Sequence, residues 1–212
     1  MEPFTIPDIP GNLDWINTPL DWKIEFKGSL SPSGSPTPSG SLTIVAGPET
    51  DWFIDPAGKI LKNDAPVAVF TPPDEDFILS ARVQVEFASA YDAGSLQVRV
   101  SPDQWAKLCF EASPRQPTVV SVVTRGVSDD CNSVLIDGDE VYLRLSRTAP
   151  AFAFHYSRDG KTWHFVRHFT LGKLADYKIG FSAQSPFGSQ CKVNFSEITY
   201  RPGGVSDIRS GE

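Results

Sequence analysis

The stretch LQVRVSPDQWAKLCFE, residues 96–111, alternates apolar and polar side chains on both sides of a central SPDQ sequence. A period of two is typical of a β-strand that packs one face against a core, and SPDQ is typical of a turn. One face of this predicted hairpin carries the apolar residues Leu96, Val98, Val100, Ala106, Leu108 and Phe110. The other face carries Gln97, Arg99, Trp105, Lys107, Cys109 and Glu111. The sequence therefore predicts a sheet whose non-core face holds an indole, two cations, an amide and a carboxylate.

Short alternating runs recur along the rest of the chain, and no long window has the period of a helix. We predict about twelve strands, the first at 22–26 and the last at 192–200. Asp-Gly pairs at 137–138 and 159–160 separate alternating runs, which is a strong hairpin signal. Many strands without helices predict an all-β sandwich of two sheets.

The domain organisation depends on how the sequence SPSGSPTPSG, residues 31–40, is interpreted. It has the composition of a linker, but the roughly 30 residues before it are too few for an ordinary independent domain. We therefore predict a Ser/Pro/Gly-rich surface loop within a single domain that spans residues 1–200. The last segment, RPGGVSDIRSGE at 201–212, is predicted to be a disordered tail.

Charge and cysteine content narrow the set of partners and compartments. A formal net charge of −7 argues against nucleic acid or an anionic membrane as partner. The odd number of widely spaced cysteines (Cys109, Cys131 and Cys191) indicates free thiols in a reducing compartment. The N-terminal sequence MEPFTIPDIP lacks the features of a signal peptide, and no apolar run approaches the ~20 residues of a membrane span. These observations predict a cytoplasmic protein.

The outer faces of further strands add polar side chains to those of the first hairpin. The predicted ligand-binding set is Gln97, Arg99, Trp105, Lys107, Glu111, Tyr142, Arg144, His155 and Gln184. An aromatic ring can cover the apolar face of a sugar while planar charged and amide groups take its hydroxyls. If the strands are neighbours in one sheet, the set predicts a carbohydrate site with Trp105 as the stacking platform. The cations favour an anionic or phosphorylated sugar; the alternative is an ordinary solvated sheet face with cross-strand ion pairs.

A set of short motifs then points to a family. In chain order they are DWFIDP (51–56), AG (93–94), W-x-K-x-x-x-E (105–111), VTR followed by SD (123–129), HYS-x-DG-x-x-W (155–163) and G-x-x-A-x-SP (180–186). Over residues 12–200 the set resembles the concanavalin A-like family that contains the fungal "regulation of enolase" protein, a domain of unknown function. The resemblance implies a jelly-roll sandwich of two curved antiparallel sheets. Related sandwiches bind or cleave carbohydrates on the concave sheet, although fold alone does not settle function.

Catalysis is left open by the sequence. Glycoside hydrolysis needs two carboxyl groups that flank the scissile bond, and the E-x-D-x-x-E or E-x-D-x-E pattern of the glucanases with this fold is absent. The weak catalytic candidates are Glu111 and His155. A sugar lyase or epimerase needs one base plus an electrophilic stabiliser, which His155 with Glu111, Lys107 and Arg144 could supply. Lys107 lies two pleats from Glu111 and is expected to keep that carboxyl ionised. No phosphate loop or nucleophile elbow is present, so no cofactor is predicted.

The third class of function is a scaffold that binds another protein, such as a glycolytic enzyme. Trp15, Trp22 and Trp52 would form its apolar patch, although burial in the core is the favoured outcome for large aromatic residues.

Metal binding is not predicted. His164 and His168 would lie ~13 Å apart along a strand, too far for one ion. Asp129, Asp130 and Asn132 could hold calcium in a loop, but capping of a turn by their side chains is favoured.

Overall fold

The computed structural model describes residues 1–30, 36–172 and 176–212, and this part of the chain contains sixteen strands and no helix. The strands are β1 (Asp14–Ile16), β2 (Asp21–Leu30), β3 (Pro36–Ala46), β4 (Trp52–Ile54), β5 (Leu61–Asn63), β6 (Val67–Phe70), β7 (Phe77–Glu86), β8 (Ala93–Ser101), β9 (Gln104–Ala112), β10 (Pro117–Arg125), β11 (Val127–Leu135), β12 (Glu140–Thr148), β13 (Ala151–Ser157), β14 (His164–Phe169), β15 (Lys178–Gln184) and β16 (Cys191–Pro202). No helix in the described ranges is long and apolar enough to cross a membrane.

The strands form two seven-stranded antiparallel sheets and one short hairpin. The first sheet has the order β1-β6-β15-β8-β9-β10-β11, and the second has the order β14-β13-β12-β7-β16-β3-β2. The separate hairpin pairs β4 with β5. This architecture is a jelly-roll β-sandwich, which confirms the predicted all-β fold class.

The main core lies between the inner faces of the two sheets. Leu96 pairs with Leu108 and Val98 with Ala106, so the apolar face predicted for residues 96–111 is the inner face of the first sheet. Leu143 on β12 faces these residues from the second sheet and belongs to the same buried cluster. Burial of each such Leu or Val side chain stabilises the fold by about 1.5–3 kcal/mol. Because alternate residues point away from this core, the outer faces of the two sheets lie on opposite sides of the sandwich.

The outer face of the first sheet is covered by the β4–β5 hairpin. A second apolar cluster forms there, in which Trp52 of the hairpin meets Trp105 of β9 with the ring centroids 6.1 Å apart. The Trp52 indole donates a hydrogen bond to the carbonyl of Ala65, which fixes the ring over the sheet. The central part of the first sheet is therefore buried on both faces.

The Ser/Pro/Gly-rich segment is partly strand. Residues 36–40 open β3 and pair with 26–30 of β2, so this half of the predicted loop is strand. Residues 31–35 lie outside the described part of the chain. Of the β3 residues in the described ranges, only 42–46 pair with β16. Pro36 and Pro38 thus lie in a part of β3 that does not pair with β16. A strand tolerates proline where one of its edges is unpaired.

The C-terminal residues 203–212, called the C-terminal strap below, pack on the outer face of the second sheet. The Gly211 carbonyl accepts a hydrogen bond from Arg144 at 2.6 Å, and the Ile208 carbonyl lies 2.8 Å from His155 Nε2. Within the strap, the backbone N–H of Gly211 donates to the Asp207 carbonyl. The composition of this segment predicts disorder, but these contacts give it a defined position.

Candidate functional site

The predicted ligand-binding residues divide between the two outer faces of the sandwich. Six lie on the first sheet: Gln97, Arg99, Trp105, Lys107, Glu111 and Gln184. Three lie on the second sheet: Tyr142, Arg144 and His155. The prediction of one site that unites all of them is therefore wrong. The alternation of residues shows which side of a strand faces the core, but it does not show which sheet the strand joins.

The cluster around Lys107 on the first sheet is a closed structural network. The Lys107 side chain is only 3% exposed, and its ammonium donates to Asp51 Oδ1 at 2.9 Å and to Gln184 Oε1 at 2.7 Å. Burial alone would lower the pKa of Lys107, but the nearby anionic groups, with Asp51 first among them, outweigh it and raise this pKa. Burial raises the pKa of the neighbouring Cys109 thiol to about 12, so it is no nucleophile at neutral pH.

The aromatic platform predicted at Trp105 is not available to a ligand. Trp105 is fully buried, and its indole N–H donates to the Pro102 carbonyl at 3.2 Å. The Arg99 guanidinium lies 3.6 Å from the centroid of the Trp52 ring and donates to Gln97 at 3.2 Å. The β4–β5 hairpin thus fills the place on this face where a sugar was expected.

The pKa of Glu111 is shifted upward, opposite to the effect expected from Lys107. Burial raises the pKa of the Glu111 carboxyl, and the opposing effect of Lys107 is smaller. Lys107 lowers the pKa of Glu111 as expected, but burial outweighs this effect and the net shift is upward. Glu111 and His155 also lie on opposite faces of the sandwich, so they cannot act together on one substrate.

A pH-dependent loss of stability is expected from Glu111. A carboxyl whose pKa is raised by folding favours the folded state fully below its unfolded pKa, which is about 4.5, and loses that advantage as the pH rises through the folded pKa. We expect the stability of Glu111→Gln relative to the wild type to be greater at pH 7 than at pH 4. Urea unfolding at both pH values measures the difference in the free energy of unfolding. Glu2→Gln, at an exposed position, serves as the control. A gain that is equal at both pH values would contradict this expectation.

An open groove lies on the outer face of the second sheet, with a volume of about 530 Å³. Its floor follows the strand register, in which Arg144 of β12 pairs with Ser80 of β7 and Ser80 pairs with Thr199 of β16. The hydroxyls of Ser80 and Thr199 lie 2.8 Å apart. The turn between β13 and β14 forms one wall, with Trp163 at its end, and Asp8 lines another part of the groove.

Arg144 is the central cation of this groove. The residue is only 5% exposed, its guanidinium lies 3.6 Å from the centroid of the Trp163 ring, and its Nε has no hydrogen-bond partner. No ion pair to Arg144 occurs in residues 1–30, 36–172 and 176–212. Burial lowers the pKa of Arg144 to about 10, and repulsion from Arg201 adds to the effect. Arg144 therefore carries a positive charge at neutral pH that no carboxylate of the described chain neutralises.

Two of the groove's three carboxylates, those of Glu197 and Asp159, are engaged elsewhere, and the third, that of Asp8, forms no ion pair with Arg144. Glu197 accepts a hydrogen bond from the Tyr142 hydroxyl at 3.0 Å and pairs with Arg82 at 3.9 Å. Asp159 caps its own turn by accepting the backbone N–H groups of Thr162 and Lys161, which lower its pKa to about 2. These contacts leave the Arg144 guanidinium as a site for an external anion.

The turn that carries Trp163 is held against the floor of the groove. Gly160 has a φ of +71°, and a Cβ at this position would lie 2.9 Å from the Tyr142 ring. Only glycine fits both the backbone and the contact. The motif HYS-x-DG-x-x-W contains both Gly160 and Trp163, so the sequence did hold a signal for this turn. The predicted site nevertheless omitted Trp163, Arg201, Ser80 and Thr199.

The possible calcium ligands lie in a strand. Asp129, Asp130 and Asn132 are exposed residues of β11, and Asp129 pairs with Arg167 at 3.1 Å. Within the described ranges, no group of three or more His, Cys, Asp or Glu side chains could hold a metal ion.

The fold and the groove define the class as a concanavalin A-like β-sandwich with a polar groove on one sheet. The family model described as "Protein of unknown function (DUF1349)" matches residues 15–203, and the chain belongs to this family. The predicted family relationship is confirmed by a curated relative, Regulation of enolase protein 1 of Saccharomyces cerevisiae, which is 31% identical over 122 residues. That alignment covers 57% of this chain and 62% of the yeast protein.

Two solved structures show the same fold. A functionally unknown protein from Saccharomyces cerevisiae aligns with a TM-score of 0.74 and 23% identity, over 90% of this chain and 96% of that chain. A mutant of the GH43 protein BlXynB from Bacillus licheniformis aligns with a TM-score of 0.63 and 13% identity, over 77% of this chain and 33% of that chain. The sandwich is thus similar to one that forms part of a larger protein.

Proposed function

We propose that this protein is a carbohydrate-recognition protein and that the groove of the second sheet binds an anionic or phosphorylated sugar. The observation that carries the proposal is the buried Arg144 guanidinium, which stacks on Trp163 without a carboxylate partner in the described chain. A charge in this state favours an ionised ligand, since a charge-assisted hydrogen bond is about twice as strong as a neutral one.

The remaining groove residues suit the rest of a sugar. The hydroxyls of Ser80 and Thr199 and the carboxylate of Glu197 offer donors and acceptors for ring hydroxyls. Arg201 adds a second cation at the same face. The groove volume of about 530 Å³ lies within the usual range of small-ligand sites.

The proposal includes a cytoplasmic location and excludes nucleic acid and membrane partners. The free thiols of Cys109, Cys131 and Cys191 support a reducing compartment. The negative net charge supports the exclusion of partners rich in phosphate.

A second candidate function is a scaffold that regulates a glycolytic enzyme. The name of the yeast relative, Regulation of enolase protein 1, favours it. The tryptophans expected to form its apolar patch offer little support. Trp52 is buried, and Trp15 and Trp22 pack against Phe4 with ring centroids 5.5 and 4.6 Å apart.

Loss of either groove cation, Arg144 or Arg201, is expected to weaken the binding of an acidic sugar. We expect wild-type protein to bind glucuronic acid more tightly than glucose in calorimetric titrations. Arg144→Gln and Arg201→Gln should each lower the affinity for glucuronic acid by about tenfold, because each removes a charge-assisted contact, and tenfold corresponds to about 1.4 kcal/mol.

The matched control is Arg125→Gln, which removes an exposed cation at the end of β10 in the first sheet. Its affinity should equal that of the wild type. Equal binding of glucose and glucuronic acid, or full affinity in Arg201→Gln, would reject the groove as an acidic-sugar site. If neither sugar binds, capture of enolase by the purified protein tests the scaffold function.

A further inference from the structure

We infer that Arg144, which lines the groove, and its neighbour His155 form an oxyanion subsite beside the groove, which the C-terminal strap occupies in the ligand-free protein. The ligand chemistry is a carboxylate or phosphate group of an acidic sugar. The inference rests on the proposed function. It adds to that function the position at which the anionic group of the ligand binds, and it identifies the strap as the segment that competes for this position.

The two side chains lie side by side below the strap. Arg144 of β12 pairs with His155 of β13 in the strand register. His155 is fully buried, its Nε2 lies 2.8 Å from the Ile208 carbonyl oxygen, and its Nδ1 has no partner. Because a carbonyl oxygen only accepts, Nε2 carries the proton and donates. Two neighbouring N–H donors therefore point to the same side of the sheet.

Carbonyl oxygens of the strap take the place that ligand oxygens would have. The Gly211 carbonyl accepts from Arg144 Nη1, and the Ile208 carbonyl accepts from His155. Both acceptors are neutral, so the positive charge of Arg144 is hydrogen-bonded but not neutralised. An ionised oxygen makes stronger bonds to the same donors, and a carboxylate or phosphate carries two or more such oxygens on one atom.

The strap can leave without disturbing the sandwich core. Most of its residues are exposed, with Val205 and Gly211 as the buried exceptions. It begins at Gly203, which has a φ of +90°. A Cβ added at this position would have no other group within 4 Å, so the space around it is open. Its contacts with the sheet include the two carbonyl hydrogen bonds and the Arg209 guanidinium, 4.5 Å from the centroid of the Phe165 ring. At its start, the Gly203 N–H also donates to the Asp76 carbonyl at 2.7 Å, and Val205 is buried.

Competition with the strap lowers the apparent affinity for a ligand. A protein binds with an affinity reduced by the fraction of molecules in the open state. Displacement of the strap should therefore increase the affinity for an acidic sugar, while the ligand should in turn release the strap.

The variant Gly211→Val tests this competition. Gly211 has a φ of +78°, and an added Cβ would lie 2.9 Å from Trp163 Cβ and 3.0 Å from His155 Cδ2, so a valine cannot occupy this position with the strap in place. Gly58→Val is the matched control. Gly58 has a φ of +71° in the connection between β4 and β5, with nothing within 4 Å of an added Cβ.

Two quantities are measured on the wild type and both variants: the affinity for glucuronic acid, and the rate at which carboxypeptidase releases the C-terminal residues. We expect Gly211→Val to bind about tenfold more tightly and to lose its C-terminal residues faster, with Gly58→Val equal to the wild type. Saturating glucuronic acid should also accelerate release from the wild type.

The outcomes separate the two proposals. Faster release from Gly211→Val with unchanged or weaker binding would overturn the subsite and leave the groove function standing. Unchanged release from Gly211→Val would overturn the strap as the occupant. An absence of glucuronic acid binding in all three proteins, with faster release from Gly211→Val, would instead reject the proposed function on which the subsite rests.

Discussion

Asp51→Asn is expected to lower the free energy of unfolding by about 3 kcal/mol, because it leaves the buried Lys107 ammonium without its anionic partner. The Lys107 side chain is 3% exposed and that of Asp51 is 18% exposed, and the pair joins the β4–β5 region to β9. The replacement keeps the size of the side chain and removes only its charge. Urea unfolding at pH 7 measures the difference.

The double variant Asp51→Asn/Lys107→Met should recover much of this loss, since it removes both buried charges together. The matched control is Glu86→Gln, which breaks the exposed pair with Lys192 and should cost at most about 1 kcal/mol. If Asp51→Asn costs no more than Glu86→Gln, the pair does not hold the cover over the first sheet.

Gly180→Ala is expected to destabilise the protein by about 3 kcal/mol, at the upper end of the usual cost of overpacking. Gly180 pairs with Val69 on one side and with Gln97 on the other. A Cβ at this position would overlap the carbonyl oxygen of Ala68 and would lie 2.9 Å from Val69 Cα. Since both obstacles are backbone atoms, β6 and β15 would have to separate.

Gly47→Ala is the control for the glycine substitution itself. Gly47 has nothing within 4 Å of an added Cβ and no positive φ. Its replacement should change stability by less than about 1 kcal/mol, in the stabilising direction, because alanine restricts the unfolded chain. Thermal and urea unfolding compare the two variants. Equal stability of Gly180→Ala and Gly47→Ala would show that β6 and β15 are not in such close contact.

The strands that were predicted correctly bury only one face in the core. Their apolar and polar residues therefore alternate along the sequence. Residues 96–111 lie in β8, β9 and the turn between them, and the apolar residues Leu96, Val98, Ala106, Leu108 and Phe110 form the expected inner face. The strand β6, with the sequence VAVF, was missed because both of its faces are buried, so it shows no alternation. The strands β4 and β5 have three residues each, which is too short for a pattern.

The site was predicted in part, and the errors have one physical cause. Side-chain parity identified Arg144 and Tyr142 as outward-facing, and both line the groove. Strand order depends on contacts far apart in the chain, so parity could not show that β8 and β12 belong to different sheets. The cover over Trp105 was missed for the same reason, because Trp52 reaches it from a separate hairpin.

The most direct measurement is a titration of ¹⁵N-labelled protein with glucuronic acid, followed by amide chemical shifts. We expect saturable shifts in residues 80, 142–144, 158–163 and 197–201, together with changes in the strap, and little change in β8 and β9. Saturable shifts around Trp52, Arg99 and Lys107 would place the ligand on the first sheet and contradict the groove. An absence of saturable shifts for glucuronic acid and glucose 6-phosphate would contradict the proposed carbohydrate recognition.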